Sequence, residues 1–212
     1  MVNMAWRGKF LMKKSEKTKI TVSKITAASI SEFGKNGYAG GTINHICKSG
    51  INKGLLYHNF TGKDELYLCC LNLSCQRLIR HIRERDGTKN LESYLIARMD
   101  AFSAYPDEAH IFFEALLSPP AHLAEKVDSA LSEFNALNEQ ISQKVLDTIV
   151  LRNGISKEDA VSYFCLIQTM LNGCFSSPSF RNIALQEKME LHEKMLSQLL
   201  DYMLYGIAKG EN

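Results

Sequence analysis

Residues 42–60, TINHICKSGINKGLLYHNF, hold two very short helical patterns separated by a tight turn. Isolated helices that short do not survive in water, because nucleation costs more than so few hydrogen bonds return. They must dock on longer helices before and after them, which commits this part of the chain to a helical corner. Thr42 can cap the first pattern, whose Ile43, Ile46 and Cys47 face inward. Gly50 turns the chain, Ile51 plugs the angle and Asn52 can cap the second. The outline is that of a helix-turn-helix, and it is also that of a plain corner inside a larger core. The second helix separates the two readings, because Lys53, Tyr57, His58 and Asn59 stay polar or hydrogen-bonding on its outer face.

Helical periodicity runs through the rest of the chain, and no run of alternating β-branched residues bounded by turns suggests a strand. The expected class is all-α: a three-helix helix-turn-helix domain followed by a helical bundle. Residues 1–17 read as a mobile basic leader, with Met12 an alternative start, residues 18–64 as the helix-turn-helix domain and residues 65–212 as the bundle. A first helix is expected from about Lys19 to Lys35, stopped by Asn36-Gly37. A longer helix should start near Lys63, run through Leu66, Cys70, Leu73, Arg77 and Arg80, and stop at Asp86-Gly87. About Leu91 to Tyr105 and Glu108 to Leu117 follow, punctuated by Pro106 and Pro119-Pro120. The longest periodic run extends from Leu123 to Ile149. Ser156 with Asp159 reads as a capping box opening a helix through Val161, Phe164, Gln168, Leu171 and Phe175, and the last helix spans about Leu185 to Ile207.

Charge divides along the same line. Residues 1–63 carry 11 Lys/Arg against 2 Asp/Glu, net +9, and residues 64–212 carry 14 against 21, net −7. A basic first module suits a polyanion, and an acidic remainder does not. No window has the roughly 18 apolar residues of a membrane span, and no signal core opens the chain, so a cytoplasmic protein without membrane partners is expected.

The stretch from Lys24 to Leu66, about a fifth of the chain, carries a recurring combination. It has Ala28 and Phe33 on the first helix, Gly37-Tyr38 at its end, Thr42 and Ile46 on the second, and Gly50-Ile51 in the turn. Lys53-Gly54, Leu56-Tyr57, Phe60 and Lys63-Asp64-Glu65-Leu66 follow. In this it resembles the DNA-binding domain of the TetR family of bacterial transcriptional regulators. The resemblance implies a homodimeric regulator of double-stranded operator DNA, most often a repressor, whose helical C-terminal region dimerises and binds a small effector. The chain departs from the family at four places. Ile46 to Gly50 spans four positions rather than five, Leu55 replaces a small polar residue, Glu32 an apolar one, and Asn59 an aromatic or His.

Placed on a helix-turn-helix, Thr42, Tyr57 and Lys63 are expected at phosphates, the first and last because they open helices whose free N–H groups attract anions. Asn52, Lys53, Gly54, Leu55 and His58 are expected at base edges, Gly54 by letting backbone and groove come close and Leu55 by touching a thymine methyl. The last two helices, with Leu and Met stripes, should pair with a second copy. Phe102, Tyr105, Phe113, Leu116, Phe134 and Gln168 are candidate effector-binding residues, with Arg98 and Asn172 as inward polar groups; an ordinary closed core has the same pattern.

No cofactor, catalytic or metal site is expected. The 6 Cys form no CxxC pair, no His/Cys/carboxylate set has ligand spacing within a helix, and no nucleophile elbow, phosphate loop or zincin motif occurs. Cys69, Cys70 and Cys75 read as buried small residues or as a thiol sensor. Asp107, Glu108, His110 and Glu114 read as helix-start acids or as an acid–base cluster. A helical enzyme and a helical adaptor using its basic module on another partner remain the alternatives to a DNA-binding regulator.

Overall fold

The computed structural model describes residues 14–180 and 182–207, with side chains described within 18–204. Most of the leader therefore lies outside the described residues. Nine α-helices and two 3-10 turns account for the regular structure among the described residues, and no β-strand occurs there. The helices are α1 (Lys14–Gly40), α2 (Ile43–Lys48), α3 (Lys53–Asn59), α4 (Lys63–Glu84), α5 (Leu91–Ala104), α6 (Pro106–Leu117), α7 (Ala124–Leu146), α8 (Lys157–Ser176) and α9 (Leu185–Ile207).

The expected elements form, with shifted ends. α1 begins at Lys14, five residues before the apolar pattern does, since Lys and Glu are good helix formers that need no buried face. Its regular part stops at Gly37, which takes φ 64°. That left-handed geometry disfavours any residue with a Cβ, and the chain makes one more turn beyond it. Pro106 opens α6 rather than only ending α5, since the first helical position needs no N–H partner. The long run beginning at Leu123 is a 3-10 turn, Ala121–Leu123, followed by α7, which ends at Leu146 and leaves Ile149 in the connection.

On α4, Leu73, Arg77 and Arg80 point outward, and the buried stripe is Leu66, Tyr67, Cys70, Leu71, Cys75, Leu78, Ile79 and Ile82, with Ser74 among them. The stripe is wide because α1, α5, α6 and α7 all pack on this helix. A spacing of three and four selects a narrow line on a helix and cannot show how many neighbours share it.

The short helices are anchored from below. Ile46 of α2 and Leu56 of α3 are buried against α1, whose Ile25 and Phe33 are themselves buried. The α1 end then closes on α6. The Glu114 carboxylate accepts from the Tyr38 backbone N–H at 2.8 and 2.9 Å and from the Tyr67 hydroxyl at 3.1 Å. His110 bonds the Gly34 carbonyl at 2.9 Å. A Cβ at Gly34 would lie 2.5 Å from that of Asp107, so the missing side chain lets the two helices touch.

Candidate nucleic-acid interface and ligand cleft

The α2–α3 corner is built from two local caps. Thr42, extended at φ −135°, accepts the His45 N–H on Oγ1 at 3.1 Å, and Asn52 accepts the Leu55 N–H on Oδ1 at 3.1 Å. Both ends that face away from the core therefore have one orphan donor satisfied. Gly50, at φ 91°, makes the turn between them. Glu32 of α1, the residue out of family pattern, accepts the Thr42 N–H and meets His45 Nδ1, each at 3.2 Å, and so ties α2 to α1.

The outward face of α3 holds Lys53, Gly54, Leu55, Tyr57 and His58, all exposed, with Leu55 and Tyr57 about half accessible. Lys53 Nζ donates to Asn44 Oδ1 at 3.0 Å, which draws α2 and α3 together on this face. Asn59 turns back to donate to the Leu55 carbonyl at 2.7 Å. Asn44 escaped sequence reasoning, because its contact with Lys53 depends on the angle of the corner.

Lys63 opens α4, with its Nζ 4.4 Å above the Tyr38 ring. Its acidic neighbours are engaged elsewhere. Asp64 accepts from the Tyr38 hydroxyl at 2.5 Å and meets His122 at 3.2 Å, while Glu65 accepts from Thr61 N–H and hydroxyl at 2.6 and 2.7 Å. The bond from Tyr38 holds the Asp64 carboxyl below its usual range, and burial together with Asp64 pushes the Tyr38 hydroxyl up to about 12. Lys63 is thus left unpaired by its acidic neighbours, at the open N-terminus of α4.

The bundle interior has a different chemistry. Arg98, almost wholly buried, is bidentate with Glu193 at 2.6 and 2.9 Å and donates to the Tyr94 hydroxyl at 3.0 Å. Tyr94 in turn donates to Asn138 Oδ1, and His192 joins Glu193 at 3.1 Å to Asn172 at 2.8 Å. The guanidinium lies 5.0 Å from the Phe102 ring centroid and 5.2 Å from that of Phe134. Burial would raise the Glu193 carboxyl, but the charge of Arg98 and the bonds from His192 and Arg98 outweigh it and hold it at about 2.

Beside this network a cleft of about 630 Å³ runs between α6, α7 and α8, past Leu116, Val127, Leu131, Phe164, Gln168 and Asn172. A pit of about 30 Å³ adjoins it, lined by Arg98, Phe134, Asn138 and His192 and sharing Leu116, Gln168 and Asn172 with the cleft. Of the expected effector residues, Leu116, Phe134 and Gln168 come together here. Phe102 and Phe113 meet edge-to-face behind it, their ring centroids 5.0 Å apart. Tyr105 lies elsewhere, packed on His81 at 5.3 Å and Arg77 at 5.4 Å.

The cysteines and the α6 acids take structural roles. Cys70 and Cys75 are buried, and burial pushes Cys75 up to about 12 and Cys70 higher, which favours packing over a thiol sensor at those two positions. Glu108 pairs with Arg77, and Glu114 bridges α6 to α1 and α4. Among the described residues no cluster suited to a metal ion occurs, and no helix is long and apolar enough to cross a membrane.

On α8 and α9, Tyr163, Leu166, Met170 and Tyr202 are 46–67% exposed. With Ile167, Met195 and Leu199 they make one apolar face along the helix pair. A monomer in water gains nothing from such a face.

A capped two-helix corner that shows aromatic and cationic side chains to solvent, carried on an all-helical bundle, has the form of a helix-turn-helix unit. Residues 25–70 match the family model of the bacterial regulatory proteins of the tetR family. No curated protein matches the chain. Among solved structures, the fatty acid degradation regulator FadR from Bacillus halodurans is 15% identical, with 82% of this chain and 96% of that one covered at a TM-score of 0.56. A putative TetR-family regulator from Shewanella sp. PV-4 is 16% identical, with 90% and 99% covered at 0.56. FadR from Bacillus subtilis, solved in complex with stearoyl-CoA, is 14% identical, with 82% and 96% covered at 0.54. The matched segment spans the helix-turn-helix, and across the remaining helices the chain shares the all-helical fold of these structures.

Proposed function

We propose that the protein is a homodimeric repressor that reads operator DNA through α2 and α3 and lets go when a small, largely apolar molecule enters the bundle. The carrying observation is the outward face of α3, where Lys53, Leu55, Tyr57 and His58 stand in solvent while Leu56 and Phe60 anchor the helix from below. Residues 18–64 form the DNA-binding unit in this reading and residues 65–212 the effector and dimerisation unit, working in the cytoplasm. Asn52, Lys53, Gly54, Leu55 and His58 approach base edges, and Thr42, Tyr57 and Lys63 hold phosphates. The Thr42 and Asn52 oxygens are occupied by their caps, so the Thr42 O–H and the Asn52 amide N–H remain to donate.

The exposed α8–α9 face supports the dimer, since two copies would bury it as a four-helix contact. The cleft beside Leu116, Phe134 and Gln168 supports the effector site. The B. subtilis FadR complex with stearoyl-CoA shows that this fold can accommodate an amphiphilic ligand. A 100-fold release of DNA requires the ligand to prefer the non-binding state by about 2.7 kcal/mol, and operator DNA then weakens the ligand by the same factor. A regulator, unlike an enzyme, shifts on DNA and turns nothing over.

Selection of bound duplexes from random sequence tests the reading. A pseudo-palindrome with half-sites about one helical turn apart is expected. Sequence-independent binding, or a 23.9 kDa monomer at micromolar concentration in moderate salt, would sink it.

A further inference from the structure

The pit beside Arg98 has an unusual balance of polar groups. Arg98 already donates three hydrogen bonds, two to Glu193 and one to the Tyr94 hydroxyl, and both ring nitrogens of His192 are engaged, by Glu193 and Asn172. Because Tyr94 accepts from Arg98, its own proton goes to Asn138, which fixes the Asn138 oxygen toward Tyr94 and turns the amide N–H2 the other way. Asn138 is 8% exposed, and that N–H2 has no partner. Ser74 Oγ is the one fully enclosed unpartnered side-chain polar atom among the described residues, so the Asn138 amide reaches open space, and Asn138 lines both the pit and the cleft. Gln168, on the opposite wall, has no hydrogen-bond partner at either end of its carboxamide. A volume of about 30 Å³ holds one small polar group, the size of a single oxygen. The wider cleft adds Leu116, Val127, Leu131 and Phe164, carries Asp128 and Glu139 at its edges, and contains no Lys or Arg.

We propose that this cleft selects an uncharged amphiphile with a carbonyl oxygen, an ester, lactone or amide, whose oxygen sits in the pit on the Asn138 and Gln168 amides. The inference rests on the effector reading above and sets the ligand's charge. A carboxylate in the pit would be desolvated beside Glu193 with no free cation to meet it. An uncharged acceptor meets two unpartnered donors and loses little hydration, while its apolar body covers Leu116, Leu131 and Phe164. The α8–α9 face plays no part, because Tyr163, Leu166 and Met170 lie on the other side of α8 from Gln168.

Titration calorimetry and melting of the full-length protein with methyl decanoate, decanoic acid and decylamine test this. Methyl decanoate is expected to bind at least tenfold more tightly than decanoic acid and decylamine and to raise the melting temperature. Gln168→Leu should weaken the ester about five- to tenfold, as the loss of one hydrogen bond does, while the unliganded variant melts within about 2 °C of wild type. Acid or amine binding as tight as the ester, or no binding by any of the three, overturns the inference. Unchanged ester affinity in Gln168→Leu overturns it as well. Ester binding that leaves operator DNA in place supports this ligand class and breaks only the release step of the proposed function.

Discussion

At α3 the cation of Lys53 stands in water with one neutral partner, Asn44, whereas in the bundle the cation of Arg98 is buried and bonded on both edges to Glu193 and Tyr94. Both regions are helical, and each includes charge and aromatic surface. The difference lies in how much of the bonding capacity the fold has already used. A charge left in solvent contributes little to stability and is available to a second molecule. A charge sealed in the interior depends on its partner and is unavailable to a ligand, and it shapes a cavity by what it excludes. Function on the first surface is therefore open to mutation without unfolding, and in the second region it is entangled with stability.

The sharpest break of this comparison is Glu193→Ala. It leaves the Arg98 guanidinium buried without its counter-ion, and the expected loss is about 3–5 kcal/mol, roughly 6–20 °C in melting temperature for a chain of this size. Replacing both partners by Arg98→Met and Glu193→Leu should recover much of that loss, since an apolar pair needs no solvation. Equal melting of single and double variants would show that the pair does not carry the interior. The same carboxylate sets a pH dependence. Its pKa falls from 4.5 to about 2 on folding, so it stabilises the fold above pH 4.5 and that contribution is lost as pH falls toward about 2. Acid titration of the melting temperature should be flatter over that range in the double variant.

A second break concerns the joint between the regions. Gly37→Ala forces a Cβ onto φ 64° and places it 2.5 Å from Glu114 Oε1, the acceptor of the Tyr38 N–H. The expected loss is about 2 kcal/mol, or roughly 4–8 °C. Coupling to Glu114→Ala, read as a non-additive double variant, would show that the two act through one contact. Additive losses would mean that backbone strain alone accounts for the effect.

Much of this architecture is legible in the sequence where the signals are local. The caps of Thr42 and Asn52 and the Ser156–Asp159 box each span three residues, and all three form. Gly37 and Gly50 take the positive φ their positions suggest. What could not be read is contact at long separation. Arg98 and Glu193 are 95 positions apart, and Tyr38 and Glu114 are 76 apart. Periodicity marks Arg98 as inward without naming what it meets, and it gives Glu193 and His192 no distinction from other polar residues of α9. Tyr105 looks like its aromatic neighbours in sequence. It ends α5, where the chain turns, and the turn sends the ring toward His81 and Arg77 instead of the cleft.

The smallest effects belong on the exposed surface, and they separate two kinds of DNA contact. Lys53→Ala and Lys63→Ala should each melt within about 0.5–1 kcal/mol of wild type, because neither side chain is buried and Lys63 loses its contact with the Tyr38 ring and its attraction to Glu114. Their DNA phenotypes should differ in kind. A base-edge contact at Lys53 contributes about 1–3 kcal/mol of discrimination, so its loss lowers the ratio of operator to random-sequence affinity. Lys63, at the open end of α4 with Asp64 and Glu65 turned to other partners, meets any sequence alike. Its loss should weaken operator and random DNA by the same factor and reduce the slope of log affinity against log salt by about one unit. Titrations at four or more salt concentrations on both duplexes resolve the two cases. A slope unchanged in Lys63→Ala would move the phosphate contact off α4, and unchanged discrimination in Lys53→Ala would move base reading to Leu55, His58 and the Asn52 amide.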